Sequence, residues 1–366
     1  MTDRLTDRLT GRLLVRLSRQ PPIPAVPLEA SVIPLSVLDV AVVPPGGTAR
    51  ETLLDVVEVA RAADLAGYRR FWVAEHHTSP RCAGSSPAVL MAHLAAVTRR
   101  VRVGSGGVML PNHAPLAVAE QFAVLQALHD GRVDLGVGRA TGGNEHAALL
   151  DRALRTSSAA RDAFPELIDE LLGFLHDDWP EGHPLAALRM SPLPAEPPEV
   201  FVLGSTENGG RVAASRGLPF VFGGHLGPRS RPAALARYRA EFRPGRHGPE
   251  APRVIASVNV LCAESDEEAA RLAWETSEAQ VLEAHATRSP GQPLSPARQR
   301  HLTRQNLDEV RLVQGSPASV AAGLADVAAA WGADELMVVP YGLTGKDRAR
   351  ALHLLAPEPE EAASRP

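Results

Sequence analysis

The sequence predicts an α/β fold, a TIM (β/α)8 barrel with loop insertions, on three observations. β-rich runs and helical patterns alternate along residues 35–356. The alternation supplies eight strands, each followed by a helix or by room for one. Glycine and polar residues collect past one strand after another, which is where a barrel builds its site. An open doubly wound sheet, the rival, would gather them at a single switch point.

The first strand is Leu35–Val43. Thr48–Ala66 reads as a helix, with Leu53, Val56, Val57, Ala60 and Ala63 at helical spacing and Gly67 as the stop. Arg69–Ala74 is the second strand and runs into Glu75-His76-His77. Ser86-Pro87 opens a helix to about Thr98, with proline in the first helical position. The third strand, Val101–Val108, carries Ser105-Gly106-Gly107, and Ala114–Leu128 is the next helix. The fourth strand, Arg132–Val137, leads into Gly138-Arg139. Ala163–Leu175 is a helix, and residues 180–198, with six prolines, are a long loop. The fifth strand, Val200–Leu203, ends in Gly204-Ser205-Thr206 and is followed by the helix Glu207–Arg216. The sixth, Pro219–Phe222, ends in Gly223-Gly224-His225 before the helix Pro232–Phe242. The seventh, Val254–Cys262, precedes the helix Ser265–Ala286, which has an N-cap serine and an acidic first turn. Residues 288–300 read as a Pro/Gly/Ser loop. Pro317–Trp331 is a helix, Glu335–Val339 the eighth strand, and Lys346–Leu355 the last helix.

Composition narrows the function. Of 366 residues, 45% are apolar and only 4% aromatic, so valine, leucine and alanine fill the interior. A net charge of −4 gives no basic surplus for nucleic acid. No apolar run approaches the ~18 residues of a membrane span. Cys82 and Cys262 make neither a disulfide framework nor a zinc site, so a reducing, cytoplasmic setting is expected. Residues 1–34 are expected to be a disordered extension or an upstream start assigned too early. Arg4, Arg8, Arg12 and Arg16 alternate there with Leu5, Leu9, Leu13 and Leu17, so a basic amphipathic docking helix is the other reading. Residues 35–356 form one barrel domain, and 357–366 are an expected disordered tail.

Four stretches carry chemistry. Glu75-His76-His77 offers a carboxylate and two imidazoles; along a strand, consecutive residues face opposite ways, so at most one histidine lines the mouth. A metal centre needs further ligands, and His93, His113, His129, His146 and His225 stand at no metal-ligand spacing, so no metal is expected. Ser105-Gly106-Gly107 lets backbone approach a flat ligand or adopt an unusual peptide geometry. Arg139 can hold a phosphate. Gly204-Ser205-Thr206 at the start of a helix presents backbone N–H groups and two hydroxyls to the same kind of anion. GxSxG, CxxC and P-loop patterns do not occur. The parts suit a barrel that holds a phosphorylated aromatic cofactor and lets it do the chemistry.

The chain resembles the bacterial luciferase-like flavin-dependent monooxygenases. The matching text includes Tyr68 through His77, Ser85-Ser86-Pro87-Ala88, Val101 through Pro115, Ala119-Glu120-Gln121-Phe122, Gly131 through Ala140 and Gly217-Leu218-Pro219-Phe220, in order at successive strand ends. The resemblance implies a barrel that binds reduced FMN, delivered by a separate flavin reductase, and uses O2 to oxygenate a small organic substrate. In related proteins the cofactor is F420. The resemblance implies Glu75 beside the flavin and His76 as the catalytic histidine. It places Ser105, Gly106 and Gly107 under the ring, through a non-proline cis peptide, and Arg139 with Gly204, Ser205 and Thr206 around the phosphate. It also implies a homodimer. Three departures bear on cofactor affinity: His129-Asp130 before Gly131-Arg132, Thr141-Gly142-Gly143-Asn144, and Asn208-Gly209. An F420-dependent hydride-transfer enzyme and a silent flavin-binding homologue are the alternatives. Substrate choice is expected to lie in the loops at 176–198 and 286–304.

Overall fold

The computed structural model describes residues 33–139, 147–230 and 232–356. Apart from residues 33 and 34, the N-terminal extension lies outside the described residues, as do the C-terminal tail and the Thr141–Asn144 departure.

Eight parallel strands close a barrel. Counting these alone, they are β1 (Leu35–Asp39), β2 (Arg70–Val73), β3 (Arg102–Ser105), β4 (Val133–Gly138), β5 (Glu199–Gly204), β6 (Phe220–Phe222), β7 (Val254–Cys262) and β8 (Glu335–Pro340). Each pairs with the next, and β8 pairs with both β7 and β1, so no edge is left open. Two short strands extend the frame: Val108–Met109 pairs with β4, and Val313–Gly315 pairs with the end of β7. Between the strands, helices cover the outside. The first, Ala49–Ala66, shows why: Thr48 and Glu51 form a capping box, Gly67 closes the helix in the left-handed conformation, and Val56, Val59, Ala60 and Ala63 are buried.

The barrel interior is layered. Arg70, Asp134 and Glu335, at the starts of their strands, form a buried ionic plug at the bottom: Arg70 bonds Asp134 at 2.8 Å and Glu335 at 2.9 Å. Above it Leu38, Trp72, Phe201, Val221, Ile255 and Met337 pack together. Gly104 and Gly136 leave room for the Trp72 indole, whose N–H donates to Asp134 at 3.0 Å.

Several expectations are corrected. The first strand stops at Asp39 because its carboxylate accepts Ala41 N–H at 2.8 Å and Ala41 turns to φ 49°. The third strand divides at Gly106-Gly107, a cis non-proline peptide. Residues 288–300 are not all loop, since a helix runs Pro296–Val310. Its Ser295 cap accepts from Arg298 N–H and Pro296 occupies the first turn, but its polar sequence hides any apolar face. The loop 177–198 connects the helix Phe164–His176 to the start of β5, so it lies at the bottom of the barrel, where Gln126 donates to Glu196 O at 2.9 Å. It does not wall the mouth.

The mouth is walled by a helical hairpin, Asp266–Arg288 and Pro296–Val310. Gln280 Oε1 accepts from Asn306 at 3.2 Å and from the Tyr341 hydroxyl at 3.1 Å. Asn259, near the end of β7, donates to the carbonyls of Val310 and His225 at 2.7 and 2.9 Å. Among the described residues no helix is long and apolar enough to cross a membrane, and both cysteines are free thiols.

Candidate active site

Just past β2 the chain remains extended, and its side chains diverge. Glu75 is 1% exposed. Its Oε1 accepts Nε2–H from His77 at 2.6 Å and from His113 at 2.8 Å, while its Oε2 accepts Met109 N–H at 3.0 Å. Burial alone would raise this carboxyl. The bonds and charge from His113, then Met109 and His77, outweigh that and hold it below the usual range. An anion is thereby favoured just past β2, and it anchors the segment Val108–His113 through Met109 and His113. Glu75, His77 and His113 are also metal-ligand types with converging atoms. Those atoms are spent on one another, as two donors on one acceptor.

His76 takes the other side. Its backbone N–H donates to Gly84 O at 2.7 Å, and its buried Nδ1 has no hydrogen-bond partner. Burial pushes its pKa below the ordinary histidine value; Glu75 pulls it back in part, and His77 adds to the fall. At neutral pH it is an uncharged imidazole, suited to accept a proton.

The glycine platform lies next to it. A Cβ on Gly106 would stand 2.6 Å from Leu38 Cδ1, and one on Gly107 would stand 2.9 Å from Gly136 O. Ser105 does not reach the mouth through its side chain. Its hydroxyl donates to Gly136 O at 2.8 Å and accepts Gly136 N–H at 3.0 Å, clipping β3 to β4.

The other half of the site has residues that could hold an anion. Register pairs Gly138 with Leu203, which sets Arg139 beside Gly204. Arg139 is exposed, and a Cβ on Gly138 would meet open space. Thr206 caps the helix Glu207–Ser215 by position only, because its side chain makes no capping bond. The first N–H groups of that helix therefore remain for a ligand. Gly209 is explained by packing: a Cβ there would stand 3.2 Å from Gly204 Cα, so glycine draws the helix onto the strand end. A guanidinium, a helix N-terminus with an unspent hydroxyl and side-chain-free backbone fit the phosphate and ring of FMN.

Thus β2 and β3 bring Glu75, His76, Gly106 and Gly107 to one wall, and β4 and β5 bring Arg139, Gly204, Ser205 and Thr206 to another. Sequence reasoning set Glu75 beside His76 and His77; the structure clamps it with His77 and adds His113 as the second clamp. It also brings His225 close enough to His76 for a charge on His76 to disfavour one on His225. The signal for His113 lay inside the stretch Val101 through Pro115. Tyr341 stood in the polar end of the eighth strand, Pro340-Tyr341-Gly342, whereas for Gln280 and Asn306 no sequence pattern existed.

Comparison with known proteins decides the family. A model of the luciferase-like monooxygenase family matches residues 33–335. The chain belongs to the luciferase-like monooxygenase family. It is 45% identical over 192 residues to N-acetyl-S-alkylcysteine monooxygenase of Bacillus subtilis, covering 52% of this chain and 57% of that one. It superposes on the solved apo structure of MsnO8 with a TM-score of 0.75 at 36% identity, over 88% of this chain and 96% of that one. A type II Baeyer–Villiger monooxygenase, the oxygenating constituent of 3,6-diketocamphane monooxygenase from Pseudomonas putida in complex with FMN, shares the fold. Its TM-score is 0.67 at 20% identity, over 90% of this chain and 98% of that one. As a luciferase-like monooxygenase family member the chain is an oxidoreductase.

Proposed function

We propose that this luciferase-like monooxygenase uses reduced FMN and O2 to oxygenate a small organic substrate at the barrel mouth. The observation that carries the reading is the pairing of Arg139 with the uncapped helix start at Thr206, opposite an uncharged His76. When bound, reduced FMN supplies the electrons that activate O2. Arg139, Ser205, Thr206 and the helix N-terminus bind and orient the phosphate. Gly106 and Gly107 let the backbone lie against the ring. His76 moves a proton, and Glu75 positions the wall that carries it. The hairpin bearing Gln280 and Asn306, with Tyr341 at the end of β8, keeps water out.

A separate flavin reductase supplies reduced FMN in this reading, and the protein acts as a cytoplasmic homodimer. The helix Pro87–Val97 is almost wholly apolar yet leaves Val89 71% exposed, and Leu128 on its neighbour Pro115–Leu128 is 69% exposed. A second copy covering this face accounts for that exposure, and light scattering reads the mass.

Titration with FMN and with F420, each in both redox states, tests the cofactor. The reading expects reduced FMN to bind and F420 not to displace it. F420 winning that competition would make the chain a hydride-transfer enzyme instead. Bound FMN whose reoxidation by O2 is unchanged would make it a silent binder. An N-acetyl-S-alkylcysteine is the first substrate to try.

A further inference from the structure

We propose that His225 is a second proton-carrying histidine of the mouth, a fixed-tautomer base that takes up the proton leaving N5 of reduced FMN. This rests on the FMN reading above. His225 follows β6 in the sequence Gly223-Gly224-His225 and stands over β7. Gly224 makes that approach possible, since a Cβ there would stand 2.5 Å from Ser257 O.

A chain of hydrogen bonds sets the imidazole. Ser257 is 2% exposed, and its hydroxyl donates to Phe222 O at 3.0 Å. A hydroxyl has one proton, so toward His225 the same Oγ accepts. The 2.6 Å contact is therefore Nδ1–H of His225 donating to Ser257. Nε2 is left with its lone pair and makes no hydrogen bond among the described residues. Asn259 holds the backbone, binding His225 O and Val310 O together. A base oriented by a third group, its working atom open, is the arrangement general-base catalysis requires. Burial, then the nearby His76 and Arg229, push the group down to about 4, so Nε2 carries no proton at neutral pH.

The step balances as follows. Over one turnover bound reduced FMN would supply two electrons and two protons, with one oxygen atom of O2 going to the substrate and the other leaving as water. Within that balance His225 Nε2 would take the N5 proton and release it to the water that leaves.

The variant that separates roles is His225→Asn. Its amide Nδ2 stands where Nδ1 stood and keeps the bond to Ser257, but nothing replaces Nε2. Stopped-flow mixing of protein loaded with reduced FMN against oxygenated buffer reads reoxidation. Proton carriage by His225 predicts a bound phase slowed about 10²-fold, with FMN affinity within about twofold of wild type. An unchanged rate overturns the proposal and leaves His225 as an anchor for Ser257. Lost FMN affinity also overturns it. Nitrogen NMR of histidine-labelled apo wild type is independent of that variant's folding and of any cofactor. The proposal expects Nδ1–H with a bare Nε2 on His225 at neutral pH, and the opposite tautomer overturns it. Wild-type protein that binds no FMN overturns both readings, whereas a normal wild type with an unaffected variant overturns only this one.

Discussion

Glu75 shows how one buried charge can organise a wall. Its two oxygens accept three donors from three places in the chain, His77, His113 and Met109. Glu75→Gln keeps the shape but turns one acceptor into a donor, which must then face an N–H. We expect a loss of about 1–3 kcal/mol in chemical denaturation, the cost of a buried unsatisfied group; an unchanged midpoint would refute the clamp. The neighbouring His76 sets a pH dependence. Burial favours its neutral form, so its pKa lies below the ordinary 6.5. A base works deprotonated, and the acid limb of the turnover profile should therefore fall below pH 6.5. A limb at or above 6.5 would mean that His76 is not the base. Strand alternation allowed at most one of the two adjacent histidines at the mouth, and the family resemblance, not the alternation, pointed to His76. His113 lay inside the matching stretch Val101 through Pro115, but its contact with Glu75 was not legible, because 38 positions separate them and no local pattern links them.

At the scale of elements, strand ends were legible and connections were not. Alternating β and helical runs located all eight barrel strands, because each strand is a short apolar run bounded by turn residues. The helix Pro296–Val310 was hidden since it packs mainly on its hairpin partner through polar contacts, such as Asn306 with Ser277 at 3.0 Å. The loop 177–198 looked like a substrate wall from its length, yet topology puts it at the other end of the barrel. Two predictions follow from this division. Leu188→Ala, in that loop, should leave FMN affinity unchanged in a fluorescence titration, whereas Arg139→Ala should weaken it. Gly136→Ala should be severe, because its Cβ would stand 2.1 Å from Ser105 O, at the clip between β3 and β4. Overpacking of this kind costs about 1–3 kcal/mol or more, read as a lowered Tm. Close packing against Trp72 and Ser105 accounts for glycine at this position.

For the whole molecule, the barrel is a closed cylinder with an ionic plug below and a polar, glycine-lined mouth above. Removing the plug's buried cation should be costly: Arg70→Met takes away the guanidinium that joins Asp134 to Glu335 and leaves Asp134 with Arg102 at 2.6 Å, so the loss should approach but not exceed the about 3–5 kcal/mol of a fully broken buried pair. Histidines set the acid sensitivity of the fold. Burial pushes both His225 and His176 down to about 4, with like charge from neighbours adding to it. The unfolded chain binds these protons near pH 6.5 and the folded chain does not, so stability is lost as pH falls from 6.5 toward 4. Thermal melts across that window should show a falling Tm, and a flat profile would contradict the buried neutral state.

The central claim is that the mouth is a flavin site whose phosphate is held by Arg139 and the helix that starts at Glu207. Parallel titrations with FMN and riboflavin, which lacks the phosphate, test it most directly. The cradle predicts that FMN binds about 10- to 100-fold more tightly, the worth of charge-assisted hydrogen bonds, and that Arg139→Ala removes most of that preference. Equal affinity for the two flavins in the wild type, or a preference that survives Arg139→Ala intact, would contradict it.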